Sequence, residues 1–214
     1  VRKNLIHILN NDFEYVLILS GDQLYRMDFR EIIASHMERE AELTVATIPV
    51  GRELAPGFGI MQNDKQGRIS RFVEKPGTPE LLDSLKLTAE QLAEQELEPG
   101  SDHYLASMGI YLFNRQTLIE LLENEMTDFG KHIIPRSIET HRVFSFVYQG
   151  YWEDIGTIRA FFEANLDMTA TMPQFDFFQM ETPVYTHPRF LPASKINGAA
   201  IDQAIISDGC IIDR

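Results

Sequence analysis

A single cysteine, Cys210, leaves the chain without any intrachain disulfide framework, and such sparing use suits a reducing compartment. Basic residues are also scarce: 19 Lys and Arg stand against 32 Asp and Glu, a formal net charge of −13. So acidic a chain repels phosphate backbones and anionic headgroups, which argues against nucleic acid and charged membrane as partners. No run approaches the roughly 18 apolar residues of a membrane span. The six histidines show no metal-ligand spacing. The opening VRKNLIHILNN has neither the long apolar core nor the small-residue cleavage site of a secretory leader. It begins in a helical pattern without Met, so the natural N-terminus is expected upstream. Together these features predict a cytoplasmic protein.

The acidic balance also sets a condition. A phosphate-bearing substrate would need a local cation, either Lys or Arg or a divalent metal held by carboxylates. With 214 residues, 44% of them apolar, the chain can bury one sizeable α/β domain plus part of another.

Short apolar runs alternate with helical patterns through the first half, as in a mainly parallel or mixed sheet covered by helices. Arg2 to Asn10 reads as the end of a helix, and YVLIL (residues 15–19) as a strand buried on both faces. Asp28 to Arg39 is predicted helical, with Asp28 and Glu31 at capping-box spacing. Leu43 to Val50 is the next strand. Phe58 to Gln62 and Arg68 to Glu74 flank a glycine-containing turn and predict a hairpin. Pro79 to Gln95 reads as one acidic helix, Met108 to Phe113 as a strand, Gln116 to Asn124 as a helix, and Val143 to Tyr148 as the strand closing the sheet. A last helix runs from Thr157 to Met168. These elements predict a catalytic-size domain over residues 1–171 and a Pro-rich, aromatic linker over 172–194. In residues 195–214 Ala199, Ile205 and Ile211 form one six-residue series, and Ala200, Ile206 and Ile212 another. That rhythm predicts the start of a left-handed parallel β-helix, against the plainer reading of an ordinary strand pair.

Several short segments carry candidate chemistry. Ser20-Gly21-Asp22 follows a buried strand, and ligands of open α/β sheets bind beyond the carboxyl ends of strands. Asp22 there could hold a metal ion or merely cap a turn. YWEDIGT (151–157) repeats the arrangement with Asp154, and two carboxylates from two strand ends would serve a Mg²⁺ whose shell substrate phosphates complete. Glu74-Lys75-Pro76 ends a β-run with a Lys, a point charge suited to phosphate or simply a solvated side chain. Gly57-Phe58-Gly59 permits close approach of backbone to a ligand or makes a tight turn. Ser107 precedes a strand, and DFGK (128–131) reads as a loop that places Lys131 near phosphate or in solvent. Cys210 reads as a small core residue.

Taken in order, SGDQLYRMD, PGFGIM, RFVEKP, LASMGIYLF, DFGKHIIP and YWEDIGT resemble the ADP-glucose pyrophosphorylase family, glucose-1-phosphate adenylyltransferases, over essentially the whole chain. FVEKP and the two acid motifs are shared with other sugar nucleotidylyltransferases. The resemblance implies a Rossmann-like nucleotide-diphospho-sugar transferase fold followed by a β-helix. It implies that Asp22 and Asp154 hold the catalytic Mg²⁺ and that Lys75 binds the phosphate of glucose 1-phosphate. Glu74 would contact sugar hydroxyls, and Gly59, Ser107 and Lys131 would complete the pocket. The implied reaction converts ATP and glucose 1-phosphate to ADP-glucose and pyrophosphate, in an allosterically regulated homotetramer.

Two departures accompany the resemblance. The family's glycine-rich nucleotide loop, with its Arg, belongs upstream of Val1, so these residues alone are expected to be inactive. His132 stands where the family usually has Asp. Three rival readings remain: a transferase using UTP, dTTP or GTP; a non-catalytic regulatory subunit; and a β-helix acyltransferase. The retention of Asp22, Lys75 and Asp154 weighs against the second, and the confinement of the six-residue pattern to the chain's end against the third.

Overall fold

The computed structural model describes residues 1–123, 126 and 128–213, leaving the side chains of Arg2 and Ile8 aside. The expected helix end at Asn124 and the last residue of the six-residue pattern, Arg214, lie outside the described residues. In chain order come α1 (Leu5–Leu9), β1 (Tyr15–Ile18), β2 (Gln23–Tyr25), α2 (Phe29–Glu38), β3 (Leu43–Gly51), β4 (Gly59–Asn63) and β5 (Ile69–Glu74). Next are α3 (Pro79–Asp83), α4 (Ala89–Glu94), β6 (His103–Asn114), α5 (Arg115–Leu122) and α6 (Ile134–Thr140). The series ends with β7 (Val143–Val147), β8 (Trp152–Asp154), α7 (Ile158–Asp167), β9 (Lys195–Ile196) and β10 (Ile211–Ile212). The chain divides into two compact units, Val1–Gly21 with Met27–Gln149, and Asp22–Arg26 with Gly150–Arg214.

The first unit is built on a six-stranded sheet in the order β5-β4-β6-β3-β7, with β1 also paired to β6. The sheet is mixed. Among the described pairings β3–β7 is parallel, whereas β1–β6, β3–β6, β4–β6 and β4–β5 are antiparallel. The parallel share is thus smaller than the alternation of strand and helix patterns predicts, and β6 is the reason. Twelve residues long, twice the expected strand, it runs against three neighbours. One edge of β6 pairs with β3 along its length; the other is divided between β4, at Leu105 and Ala106, and β1, at Tyr111 to Asn114. Between these halves the register with β3 jumps from Val45↔Tyr111 to Thr47↔Ser107, which leaves Met108, Gly109 and Ile110 as a bulge. Gly109 has φ +70°, a conformation open to glycine without steric cost.

Alternation along β6 fills two cores. Leu105, Tyr111 and Phe113 pack with Leu43, Val143 and Leu118, while Tyr104 and Ala106 pack with Ile60, Leu82 and Leu85. Each fully buried Leu, Ile or Phe contributes about 1.5–3 kcal/mol. Burial also breaks the acidic segment predicted as one helix. Leu85 is fully buried, and the Leu87 N–H donates to the His103 carbonyl at 2.9 Å, drawing the chain onto β6. Helix formation restarts at Thr88, where a capping box with Gln91 opens α4. At α2 the Asp28 carboxylate accepts instead from the Arg30 N–H at 2.9 Å, so the expected Asp28–Glu31 box gives way to a simple N-cap.

His36 on α2 is buried between Thr44 Oγ1, 2.7 Å from Nδ1, and Asn114 Oδ1, 2.9 Å from Nε2. Burial lowers its pKa below the usual histidine value. A histidine depressed in the folded state contributes stability above its unfolded pKa, about 6.5, and that stability fades as pH falls through the lower folded value. Replacing His36 with Gln should therefore flatten the decline of the melting temperature below about pH 6.5. Equal acid slopes for the two proteins would exclude His36 as the source.

In the second unit β2 and β8 form an antiparallel pair that three-residue strands left unmarked in the sequence. Trp152 Nε1 donates to Gln23 Oε1 at 3.1 Å across it. Arg26 donates to the Asp176 carbonyl at 2.8 Å and lies over the Phe175 ring at 4.9 Å. Residues 171–194 form no helix or strand, and β9 and β10 pair in parallel, Lys195↔Ile211 and Ile196↔Ile212. Cys210 is half-buried beside Ser207 rather than in a core, a correction to its reading as a small core residue.

Candidate active site

The two predicted acids come together within the second unit. Asp22 immediately precedes β2 and Asp154 ends β8, and the pairing places Gln23 opposite Asp154. The Ile155 N–H donates to the Asp22 carbonyl at 3.1 Å, and the Gly156 N–H to Asp154 Oδ1 at 2.9 Å. Both carboxylates face Gly156. A Cβ there would lie 2.9 Å from Asp154 Oδ1 and 3.3 Å from Asp22 Oδ2, so glycine keeps the space between them open. Thr157 then caps α7 by accepting from the Ala160 N–H at 3.1 Å. Burial, followed by the charges of Asp154 and Glu163, pushes the carboxyl of Glu153 above its ordinary range. Among the described residues no three His, Cys, Asp or Glu converge on a metal position. Two hard carboxylate donors facing one point suit a Mg²⁺ that draws the rest of its shell from phosphate and water.

A separate cluster occupies the first unit. Gly59, which opens β4, pairs with Glu74, which ends β5. The Glu74 carboxylate lies between Gly59 and Gly130, and a Cβ on either glycine would collide with it. Burial raises the Glu74 pKa; Asp128 adds to the rise, while Lys75 and Lys131 oppose it. Lys75 adopts φ +49°, an uncommon conformation for a residue with a Cβ, and its N–H donates to the Phe58 carbonyl at 2.9 Å. Neither the Lys75 nor the Lys131 ammonium enters an ion pair among the described residues, so both remain available to an anion.

DFGK is not a loop. The Asp128 carboxylate accepts from the Lys131 N–H at 2.9 Å and opens a single wide turn, Phe129–Ile133, that continues into α6. This turn carries Gly130 to Glu74 and stacks Phe129 on Tyr111 with centroids 5.6 Å apart. Ser107 lies inside β6 rather than before it, at the bulge, and its hydroxyl accepts from the Gly109 N–H at 3.2 Å. Tyr111, hydrogen-bonded to Ser107, has its pKa raised by burial.

Five predicted residues, Gly59, Glu74, Lys75, Ser107 and Lys131, thus belong to the first unit, and Asp22 and Asp154 to the second. Sequence reasoning missed Gly130, Tyr111 and Gly156 as parts of these clusters. Glycine beside a charged motif was the available signal for Gly130 and Gly156; Tyr111 reads only as one more apolar strand residue. Gly130→Ala should lower kcat/KM for the cluster's ligand roughly tenfold to a hundredfold by displacing Glu74, with the melting temperature nearly unchanged. Unchanged kinetics would show that the Glu74 position is not set by Gly130.

Comparison with known families places one on this chain: a model described as nucleotidyl transferase matches residues 2–171.

Proposed function

The chain belongs to the nucleotidyl transferase family, and from that premise we propose that it transfers an adenylyl group from ATP to glucose 1-phosphate, giving ADP-glucose and pyrophosphate. The observation that carries this reading is the convergence of Asp22 and Asp154 over Gly156, two acids 132 positions apart brought together by β2 and β8. In the reaction a phosphate oxygen of glucose 1-phosphate forms a bond to the α-phosphorus of ATP. The bond from that phosphorus to the α–β bridging oxygen breaks, and pyrophosphate leaves with the electron pair.

Such a transfer needs no protein nucleophile. It needs in-line positioning and neutralisation of crowded negative charge. Asp22 and Asp154 would hold Mg²⁺, which when bound supplies positive charge to the nucleotide phosphates. Lys75 binds the phosphate of the sugar substrate as a point charge, and Lys131 adds a second. Glu74, fixed between Gly59 and Gly130, accepts from sugar hydroxyls, and Ser107 orients Tyr111 at the edge of the same cluster. The free ammonium groups and the two carboxylates explain how so acidic a chain would receive substrates that are themselves anions.

We read residues 195–214 as the beginning of a left-handed β-helix, supported by the six-residue rhythm and the parallel β9–β10 pair, and the assembly as a homotetramer. The choice of ATP over UTP, dTTP or GTP rests on the motif set SGDQLYRMD, ASMGIYLF and DFGK. It is tested by pyrophosphate release from the whole protein, with glucose 1-phosphate, Mg²⁺ and each of the four nucleotides. Strong preference for ATP is expected. Preference for another nucleotide would keep the mechanism and change the nucleotide donor, and silence with all four would favour a regulatory subunit.

A further inference from the structure

The first unit contains a cavity of about 600 Å³ at the end of the β4–β5 hairpin away from Glu74. Asn63, at its wall, is four residues along β4 from Gly59, roughly 13 Å. The hairpin tip is tied down there. Gln91 Nε2 donates to Asn63 Oδ1 at 2.8 Å, Asn63 Nδ2 to Ser145 Oγ at 2.9 Å, and the Ser145 hydroxyl to the Gly67 carbonyl at 3.2 Å. The Ser145 N–H also reaches the Gly67 carbonyl at 2.9 Å, which fastens the tip to β7. The cavity beneath is therefore a fixed feature of the sheet, and its volume falls within the range of about 300–1,000 Å³ usual for small-molecule sites.

We propose that this cavity is a second binding site, for an unphosphorylated saccharide. Leu87, Leu105 and Val147 contribute apolar surface to its lining. The Ser35 hydroxyl and the Gln95 and Gln149 amides also line it, and none of the three makes a side-chain hydrogen bond among the described residues. These neutral donors and acceptors, together with the apolar surface, match a sugar ring, which offers hydroxyls at its edge and C–H groups on its face.

Charge separates this site from the phosphate-directed cluster. Of the cavity's two cations, Arg39 donates to the Gln66 carbonyl at 2.8 Å and Lys65 pairs with Glu90 at 2.9 Å. Asp64 accepts from the Gln66 and Arg68 N–H groups. With Asp64, Glu90 and Glu94 set against Arg39 and Lys65, the lining carries one net negative charge, which disfavours a phosphorylated ligand.

Isothermal titration of the protein with maltotriose, and in parallel with glucose 6-phosphate, tests the assignment. Maltotriose should bind. Gln149→Ala, at an exposed position, should weaken it about tenfold, consistent with one lost hydrogen bond. Gln95→Trp should abolish it by filling the cavity, and Lys75→Ala should leave it unchanged. The Gln149 variant keeps the test informative even where Gln95→Trp disturbs α4. Absence of maltotriose binding, binding indifferent to both cavity variants, or loss in Lys75→Ala would overturn the proposal. So would tight binding of glucose 6-phosphate that Gln95→Trp removes.

Discussion

Asp154→Asn should lower turnover by roughly a hundredfold to a thousandfold or more, the range seen when one preorganised electrostatic partner of a transition state is removed. Its fold should survive. The amide keeps an oxygen to accept the Gly156 N–H, which lies 2.9 Å from Asp154 Oδ1, and β8 retains its pairing with β2. What changes is charge at the point the two carboxylates share. Asp22→Asn should behave alike. If both acids serve one ion, the double variant should be little worse than either single one, because a site already broken cannot be broken twice. The measurement is kcat at saturating substrates across a Mg²⁺ titration. Near-normal turnover in either single variant would remove that carboxylate from the proposed metal site. Multiplicative losses would mean that the two acids act separately.

Lys75→Ala should raise KM for glucose 1-phosphate by roughly tenfold to a hundredfold, the equivalent of one charge-assisted hydrogen bond, with KM for ATP barely altered. Backbone conformation makes the substitution series informative. Lys75 holds φ +49°, so Ala inherits the same steric cost whereas Gly is relieved of it. Lys75→Gly should therefore raise the melting temperature while weakening the sugar phosphate as much as Ala does. Opposite movement of stability and affinity would separate the charge from the turn that presents it. A normal KM for glucose 1-phosphate in both variants would take Lys75 out of the site.

The buried strands announce themselves in the sequence because their apolar runs are dense, as YVLIL and MGIYLF show, and the hairpin because Gly67 stands in its turn. Strand direction does not. Nothing local distinguishes an antiparallel β6 from a parallel one, since a strand buried on both faces carries the same apolar run either way. Its true length was hidden because Ser107 reads as the loop before a strand, whereas it lies inside β6 next to the bulge. The helix predicted over Pro79 to Gln95 failed at Leu85, whose burial against β6 outweighed helix propensity; the sequence shows the leucine, not what it packs against. For the candidate sites the charged residues were legible, because Asp, Glu and Lys next to Gly or Pro at strand ends stand out. The residues that shape the space around them were not. Gly130 and Gly156 matter for the side chains they lack, and which carboxylate fills the gap is decided by elements far away in sequence.

The second unit takes Asp22–Arg26 from near the start of the chain and everything else from beyond Gln149. During synthesis, Gln23, Leu24 and Tyr25 must wait for Trp152, Glu153 and Asp154 before they can become a strand. At ribosomal rates of about 5–20 residues per second, the delay is on the order of ten seconds. For that interval one of the two acids is tethered to a nearly complete sheet without its counterpart. The nascent protein would acquire the cluster around Glu74 first and its paired carboxylates last.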